Sequence, residues 1–246
     1  MKKVALVTGA ARNIGKGIAT ALLKEGYTCL LVDKDEAALK QALANLSSSG
    51  ECYEYVADIA DPKQIEGLLD WTKKKNMTVT ILINNAGYES SESVAELSLP
   101  EIYKSYHVNL VGPFYLTSLL VQQWIEHKVS GNIIFTSSTH SHIIRTHPLY
   151  SSSKAAIEMF IKEASLELAE HKIRVNAVAP GPTLDTTELV SDHRVPLGFA
   201  QQPIDIGEGV CFLLSQKARF ITGQTLVIDG GFSLTHTHYW SKKGRL

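Results

Sequence analysis

The sequence VALVTGAARNIGKG, residues 4–17, joins a short apolar run to a glycine-containing turn and the start of a helical pattern. Continuous apolar runs of this kind form strands that are buried on both faces of a parallel sheet. The glycines permit a tight turn, and they let backbone N–H groups approach a phosphate at the N-terminus of the following helix. Glycines alone are a weak signal, but a strand, this turn and a helix in that order predict a dinucleotide site.

Six further apolar runs alternate with segments of helical period. This alternation predicts an α/β fold of the Rossmann type, a doubly wound parallel sheet of about seven strands with helices on both faces. No repeat or linker interrupts the pattern, so we expect one domain over residues 1–246. The predicted strands are 4–8, 28–33, 53–58, 79–84, 132–138, 174–180 and 225–230, and the predicted helices are 15–26, 35–46, 62–75, 100–127, 151–170 and 205–216.

The composition is typical of a globular protein with one full-sized core, since 44% of the 246 residues are apolar and 20% are charged. A net charge of -1 gives no reason to expect nucleic acid or an anionic membrane as a partner. No apolar run approaches the ~18 residues of a spanning helix, and Gly9 and Arg12 end the first run too early for a signal peptide. We therefore expect a cytoplasmic protein. The scattered Cys29, Cys52 and Cys211 indicate buried thiols and no disulfide framework.

The preference between NAD and NADP depends on the end of the second predicted strand. Asp33 lies there, about 20 residues after the glycine turn, where a carboxylate accepts hydrogen bonds from a ribose diol. It would repel a 2′-phosphate, whereas Arg12 or Lys34 could neutralise one. We expect NAD, with NADP as the alternative, because the strand end fixes the direction of Asp33.

Further motifs follow in a fixed order, and together they resemble the short-chain dehydrogenase/reductase family over nearly the whole chain. One departure is Asn13, which stands where the family has its middle glycine. Asn tolerates a left-handed backbone better than most residues, so the turn can survive. The motifs are TGAARNIG (8–15), NNAG (84–87), HVNLVG (107–112), TSS (136–138), YSSSK (150–154) and the turn Pro180–Gly181.

The resemblance implies hydride transfer between nicotinamide and a secondary alcohol or ketone. Tyr150 and Lys154 lie on one helix face at i and i+4, and the lysine cation is expected to lower the tyrosine pKa from ~10. Tyr150 would exchange a proton with the substrate, Ser138 would bond the substrate oxygen, and Asn109 would anchor a water relay. The implied cofactor contacts are Gly9, Arg12, Asn13, Ile14, Gly15, Asp33, Asp58, Ile59, Asn85, Ala86, Gly87, Tyr150, Lys154, Pro180, Gly181 and Thr183.

Two departures from the family pattern concern the active site. Ser138 precedes Tyr150 by 12 residues, one fewer than in many members, so Ser137 remains an alternative to Ser138. Five residues after Pro180 the family often has Thr, but here Asp185 stands between Thr183 and Thr186. The segment 180–196 is also short for the lid that usually covers the substrate.

Two loops are expected to line the substrate pocket, 88–90 and 139–149. Both are rich in hydrogen-bonding groups, which favours a sugar or another small polar alcohol over a steroid or acyl chain. The stretches NNAGYE and TSSTH also resemble the sugar-dehydrogenase branch of the family. No metal is predicted, because the loop histidines have no Asp or Cys nearby. The candidate substrate residues are Glu89, Ser138, His140 and Arg145.

Two alternative functions stay open. A 3-oxoacyl-[acyl-carrier-protein] reductase shares the same core, but Asp33 disfavours NADPH and no basic patch is evident for an acidic carrier. A dinucleotide-sensing protein would bind NAD without turnover, which the set Asn109, Ser138, Tyr150 and Lys154 argues against.

The resemblance also implies a homotetramer. Segments 100–127 and 151–170 carry more apolar residues than one sheet face can cover, and in the family these helices pair with their symmetry mates. The strand at 225–230 would supply a second interface, with the tail 234–246 beside it. The apolar residues in question are Phe114, Tyr115, Leu119, Leu120, Trp124, Met159 and Phe160.

Overall fold

Seven parallel strands form one sheet in the computed structural model, which describes residues 4–235. Their order is β3-β2-β1-β4-β5-β6-β7, so the chain builds outward from β1 in one direction and then in the other. The carboxyl edge between β1 and β4 is therefore the switch point, where open α/β sheets bind ligands. The strands are β1 (Val4–Thr8), β2 (Thr28–Asp33), β3 (Cys52–Val56), β4 (Val79–Asn84), β5 (Asn132–Thr136), β6 (Arg174–Pro180) and β7 (Thr225–Ile228).

Helices cover both faces of this sheet, which confirms the predicted Rossmann-type fold. One apolar layer packs α3, α5 and α6 on the sheet, and the other packs α1, α2 and α7. Val4 and Leu6 of β1 enter the first layer, whereas Ala5 and Val7 enter the second, which explains the continuous apolar run. The helices are α1 (Asn13–Lys24), α2 (Glu36–Leu46), α3 (Pro62–Lys74), α4 (Leu99–Tyr106), α5 (Gly112–Glu126), α6 (Pro148–Leu168) and α7 (Pro203–Leu214).

The predicted segment 100–127 is helical without a break from Leu99 to Glu126, but the sequence did not predict the π-helical turn inside it. A π-helical turn, His107–Val111, separates α4 from α5. Directly after it, Gly112 approaches the chain so closely that an added Cβ would lie 2.0 Å from the carbonyl oxygen of Ile59.

Other boundaries differ from the predicted ones by two residues or fewer, except that α6 begins three residues early, at Pro148. Proline suits this first helical position, since its missing N–H would have no partner there. Within residues 4–235, no helix is long and apolar enough to cross a membrane. Of the predicted tail 234–246, residues 236–246 lie outside the described residues.

The predicted apolar surplus on the outer helices is smaller than expected. Leu120 and Trp124 are buried against the sheet, and Phe114 and Phe160 stack with ring centroids 3.9 Å apart beside the core. Tyr115 and Leu119 are also partly buried against this layer. Of the seven predicted residues, Met159 alone is largely exposed, because the sheet is wide enough to receive the others.

Candidate active site

The turn after β1 uses two left-handed residues to start α1. Gly9 has φ +63° and Asn13 has φ 44°, so the prediction that Asn13 tolerates a left-handed backbone is confirmed. An added Cβ on Gly15 would lie 2.0 Å from the carbonyl oxygen of Gly9. The turn therefore leaves no room for a side chain at Gly9 or Gly15, and it forms the narrow backbone cradle that a pyrophosphate requires at a helix N-terminus.

The loop after β4 is tied to this turn by four hydrogen bonds. The Thr8 hydroxyl accepts from the backbone N–H groups of Asn85 (3.0 Å) and Ala86 (3.1 Å). In return, the Asn85 side-chain amide donates to the carbonyl oxygens of Thr8 (3.0 Å) and Gly9 (3.2 Å). These reciprocal bonds hold the NNAG loop and the glycine turn as one unit on two sides of the switch point.

A cleft of about 580 Å³ runs along this edge of the sheet. Its volume and concave shape are those of a cofactor site. It brings together most of the predicted cofactor residues, whereas Pro180, Gly181 and Thr183 lie outside its lining. The predicted residues that line it are Gly9, Arg12, Asn13, Ile14, Gly15, Asp33, Asp58, Ile59, Asn85, Ala86, Gly87, Tyr150 and Lys154.

Apart from Glu89, which the sequence assigned to the substrate, seven lining residues were not assigned to the cofactor. Each lies within two residues of a predicted position, so extending every motif by that distance would have found them. The motif positions themselves carry no information on which neighbouring side chain or backbone segment faces the cleft. The missed residues are Val32, Lys34, Asp35, Ala57, Tyr88, Val108 and Thr136.

Both cations near the end of β2 are paired with carboxylates. Arg12 hydrogen-bonds Asp35, and Lys34 Nζ lies 3.7 Å from Asp58 Oδ2. Asp33 makes no ion pair here; its two oxygens accept the backbone N–H groups of Ala11 and Asp35, each at 3.1 Å. The charges that would attract a 2′-phosphate are therefore already balanced by the protein.

The segment after β6 brings a further carboxylate near the glycine turn. Asp185 Oδ2 accepts the backbone N–H of Asn13 at 3.3 Å. The hydroxyl of Thr183 instead lies 3.1 Å from the carbonyl oxygen of Gly181 and 3.3 Å from Gln201 Oε1. The family's threonine position thus carries an anion bonded to the glycine turn, while Thr183 bonds its own loop.

Tyr150 and Lys154 share one face of α6, as predicted. Lys154 is buried, and its Nζ donates to the carbonyl oxygen of Thr136 at 2.7 Å and lies 5.4 Å from the Tyr150 ring centroid. Burial lowers the pKa of Lys154 to about 8.

The expectation that Lys154 lowers the pKa of Tyr150 is wrong for this structure. Burial raises the Tyr150 pKa to about 12, the hydrogen bond from Ser138 opposes this rise, and the charge of Glu89 adds to it. Removing water from the phenolate costs more than one hydrogen bond returns, and the ammonium is bound to Thr136 instead. Without a ligand, Tyr150 therefore holds its proton at neutral pH.

The two neighbouring serines of the TSS motif point to different partners. Ser138 hydrogen-bonds Tyr150 and accepts the backbone N–H of His140 at 3.2 Å. Ser137 is buried, and its hydroxyl donates to Glu158 Oε1 at 2.6 Å. The structure therefore places Ser138, and not Ser137, against the phenol.

Asn109 lies inside the π-helical turn and is almost fully buried. Its Oδ1 accepts the backbone N–H of Tyr88 (2.7 Å), and its amide donates to the Tyr88 carbonyl (2.8 Å) and to Ser153 Oγ (3.0 Å). These bonds join the loop after β4 to α6. The side chain of Asn109 is thus a brace between two walls of the cleft, so a relay through a water would have to use its backbone.

Polar side chains surround Tyr150 on the side away from Lys154. The His140 ring contacts Tyr150 edge-on, with centroids 5.1 Å apart, and the His147 ring lies 5.4 Å farther on. Nδ1 of His147 lies 3.0 Å from Glu89 Oε1. Burial lowers the pKa of His140. Glu89, Ser138 and His140, all predicted substrate residues, are therefore brought together.

Arg145 does not line the cofactor cleft, but it shares a second cavity with His140 and His147. Its guanidinium lies over the Phe232 ring at 5.1 Å, and this cavity of about 590 Å³ is formed largely by residues 140–148. Across residues 4–235, no group of three or more His, Cys, Asp or Glu side chains is arranged to hold a metal ion.

The cleft, the glycine turn and the Tyr150–Lys154 face define an oxidoreductase of the Rossmann type. The profile of the family described as short chain dehydrogenase matches residues 3–195, and the chain belongs to this family. Its members act on a CH–OH group with NAD or NADP as acceptor, and so does this enzyme.

Similar proteins span nearly the whole chain. The diacetyl reductase [(S)-acetoin forming] of Staphylococcus epidermidis is 30% identical over 94% of this chain and 98% of its own length. The glucose 1-dehydrogenase of Gluconobacter oxydans is 32% identical over 95% and 92%. The crystal structure of 3-ketoacyl-(acyl-carrier-protein) reductase from Brucella melitensis, complexed with NADH, has a TM-score of 0.86 and 28% identity over 94% and 98%.

Burial of Lys154 predicts a pH-dependent stability. The folded pKa of about 8 lies below the ordinary lysine value of 10.5, so the cost of burying the cation is full below pH 8 and falls as pH rises toward 10.5. Relative to wild type, the Lys154→Met variant should therefore gain free energy of unfolding, and this gain should be about 2 kcal/mol larger at pH 7 than at pH 10. Urea unfolding at both pH values measures this difference. The exposed Lys162→Met on the same helix is the control, and an equal pH dependence in both variants would contradict the burial argument.

Proposed function

We propose that the chain is an NAD-dependent enzyme that interconverts a secondary alcohol and a ketone on a sugar or another small polar compound, with Tyr150 as acid and base. The observation that carries the proposal is the placement of Tyr150 between Ser138 and the buried Lys154, in a cleft that begins at the glycine turn. Bound nicotinamide supplies or accepts the hydride.

The residues of the cleft divide the cofactor between them. The backbone around Gly9, Asn13 and Gly15 would hold the pyrophosphate, Asp33 and Asp58 the adenosine half, and Asn85–Gly87 with Lys154 the nicotinamide half. An added Cβ on Gly87 would lie 3.7 Å from Lys154 Nζ and 3.6 Å from Asn109 Oδ1, so a side chain there would fill the space beside both groups. The residues present therefore suit a dinucleotide.

The proton moves at the oxygen of Tyr150. With a pKa of about 12, the phenol is protonated at neutral pH and can donate its proton to a carbonyl oxygen, while Ser138 holds that oxygen by a hydrogen bond. In the reverse direction, Tyr150 must first lose its proton before it can accept one from the alcohol. Carbonyl reduction is thus the direction for which the ligand-free site is already protonated.

The balance of charges supports NAD over NADP. Asp33 lines the cleft and would accept hydrogen bonds from the ribose, and the two cations that could receive a 2′-phosphate are paired with Asp35 and Asp58. Moving either cation to a phosphate would leave a carboxylate beside that dianion. The similar reductase from Brucella melitensis was crystallised with NADH.

A small polar substrate is supported by the side chains around Tyr150. Glu89, His140 and His147 offer carboxylate oxygens and ring nitrogens, which suit hydroxyl or second carbonyl groups. The names of two relatives, a diacetyl reductase and a glucose 1-dehydrogenase, describe such compounds. The alternative, reduction of a 3-oxoacyl thioester, is supported by the resemblance to the Brucella enzyme. A third alternative is a sensor that binds NADH without turnover.

A substrate panel separates these alternatives, and Tyr150→Phe tests the chemistry. We expect turnover with diacetyl, acetoin or a sugar, and little with acetoacetyl thioester. Tyr150→Phe should lower kcat by at least about 10²-fold because only the transferable proton is removed, while the Kd of NADH measured by fluorescence stays unchanged. Tyr103→Phe, an exposed tyrosine, is the control. Thioester turnover alone would favour the carrier-protein alternative, NADH binding without any turnover would favour the sensor, and substantial Tyr150→Phe activity would exclude Tyr150 as the acid.

The charge pairs predict how the cofactor preference can be changed. Asp33→Ala should weaken NAD and improve NADP, and adding Asp35→Ala should improve NADP further by releasing Arg12. The expected rise in kcat/KM for NADP is on the order of 10-fold for the double variant, since one cation–phosphate contact replaces a repulsion. Asp70→Ala on α3, away from the cleft, is the control. A wild-type enzyme that already prefers NADP would contradict the argument.

A homotetramer is the proposed assembly. Met159 and Leu166 expose 57% and 79% of their surface on α6, and Val227 of β7 exposes 41%, which leaves apolar groups on the two faces that would pair. Light scattering should give four times the chain mass of 27.0 kDa. Leu166→Glu should convert the tetramer to dimers, because one of its two interfaces is lost, whereas Ile144→Glu on a loop should leave the tetramer intact. A wild-type monomer at micromolar concentration would exclude this assembly.

A further inference from the structure

One carboxylate near the active site has no part in the chemistry proposed above. Glu158 lies on α6, four residues after Lys154 and eight after Tyr150, and hence on the same side of the helix. It is half-buried and does not line the cofactor cleft. Its position two turns beyond Tyr150 places it behind the serine loop that faces the phenol.

The carboxylate of Glu158 collects hydroxyl groups from three separate segments. Ser137 Oγ at the end of β5 donates to Oε1 at 2.6 Å, and Ser141 Oγ in the next turn lies 3.2 Å from the same oxygen. Thr225 of β7 donates to Oε2. Hydrogen bonds to an ionised acceptor are the stronger kind, so this group ties β5, β7 and the turn to the helix.

Ser137 and Ser141 are the residues on either side of the segment that contains Ser138. The hydroxyl of Ser141 also lies 2.7 Å from the carbonyl oxygen of Ser138, which fixes the backbone of that residue from the far side. Ser137 is turned away from the phenol by its bond to Glu158. Ser138 is thereby left as the serine of this pair that bonds Tyr150.

We propose that Glu158 is a positioning residue, which holds Ser138 at its distance from Tyr150 by binding Ser137 and Ser141. The inference rests on the proposed function, because it concerns the serine that would hold the substrate oxygen. Tyr150 and Glu158 lie on the same helix, α6. The hydrogen bonds from Ser137 and Ser141 to Glu158 therefore fix the serine loop relative to the proton donor. Thr225 holds the carboxylate itself in place.

A double-mutant cycle with Ser138 tests whether Glu158 acts through that residue. Glu158→Ala should lower kcat by about 10- to 100-fold, as misplacement of a reacting group does, with the Kd of NADH changed less than about 2-fold. Glu158→Gln keeps one acceptor oxygen and should recover much of the rate. The double variant Ser138→Ala with Glu158→Ala should be no slower than Ser138→Ala alone, because the hydroxyl that Glu158 would position is already absent.

The pH profile of kcat distinguishes a positioning role of Glu158 from a general loss of structure, which would not shift the profile. The hydrogen bond from Ser138 opposes the rise of the Tyr150 pKa, so Glu158→Ala should shift the alkaline limb of the kcat profile upward, as Ser138→Ala does. Glu163→Ala, exposed on the same helix, should change neither rate nor profile. If Glu158→Ala does not fold, Ser137→Ala combined with Ser141→Ala replaces it in the cycle.

Multiplicative losses in the double variant, or an unshifted profile in Glu158→Ala, would overturn the proposal. A Ser138→Ala enzyme with wild-type turnover would instead contradict the proposed function, since Ser138 would then not hold the substrate oxygen. The two failures are thus separated by the single Ser138 variant.

Discussion

The hydrogen bonds between Thr8 and the Asn85–Ala86 backbone are the constraint on which the cleft depends. They bind the ends of β1 and β4, the two strands from which the chain turns in opposite directions. The same contact sets the approach of the NNAG loop to the glycine turn, where an added Cβ on Gly9 would lie 2.8 Å from Cα of Ala86. Small residues occur on both sides because the two backbones touch.

Helix α6 converts this edge into a reactive site. One face of α6 carries Tyr150, Lys154 and Glu158. Tyr150 reaches the cleft, Lys154 reaches the end of β5, and Glu158 reaches the loop behind it. Burying the ammonium is costly, and a single hydrogen bond to Thr136 only partly offsets the lost hydration. A residue that destabilises the fold yet lies at the cleft indicates a site arranged for binding and chemistry at some expense of stability.

At the other end of the cleft, beside β2, the cations are paired with carboxylates. Arg12 and Lys34 look free in the sequence, yet the fold pairs them with Asp35 and Asp58. Asp35 also caps α2 by accepting the N–H of Ala38, so the carboxylate that neutralises Arg12 is held by the helix it begins. The preference between the two cofactors is thus linked to how a neighbouring helix starts.

The sequence alone determined the α/β fold, most element boundaries and the tolerance of Asn13 for a left-handed backbone, because these depend on local period, local sterics and the order of short motifs. It also predicted most of the residues that line the cleft, because TGAARNIG, NNAG and TSS each lie at the carboxyl end of a buried strand. The tertiary structure alone decided which of Ser137 and Ser138 faces the phenol, because Glu158 approaches from a distant part of the helix. It likewise reversed the expected pKa shift of Tyr150, for burial depends on every element around the side chain. The apolar period did not predict the π-helical turn at Asn109 for the same reason. The close contact of Gly112 with Ile59 beside this turn joins residues far apart in the chain.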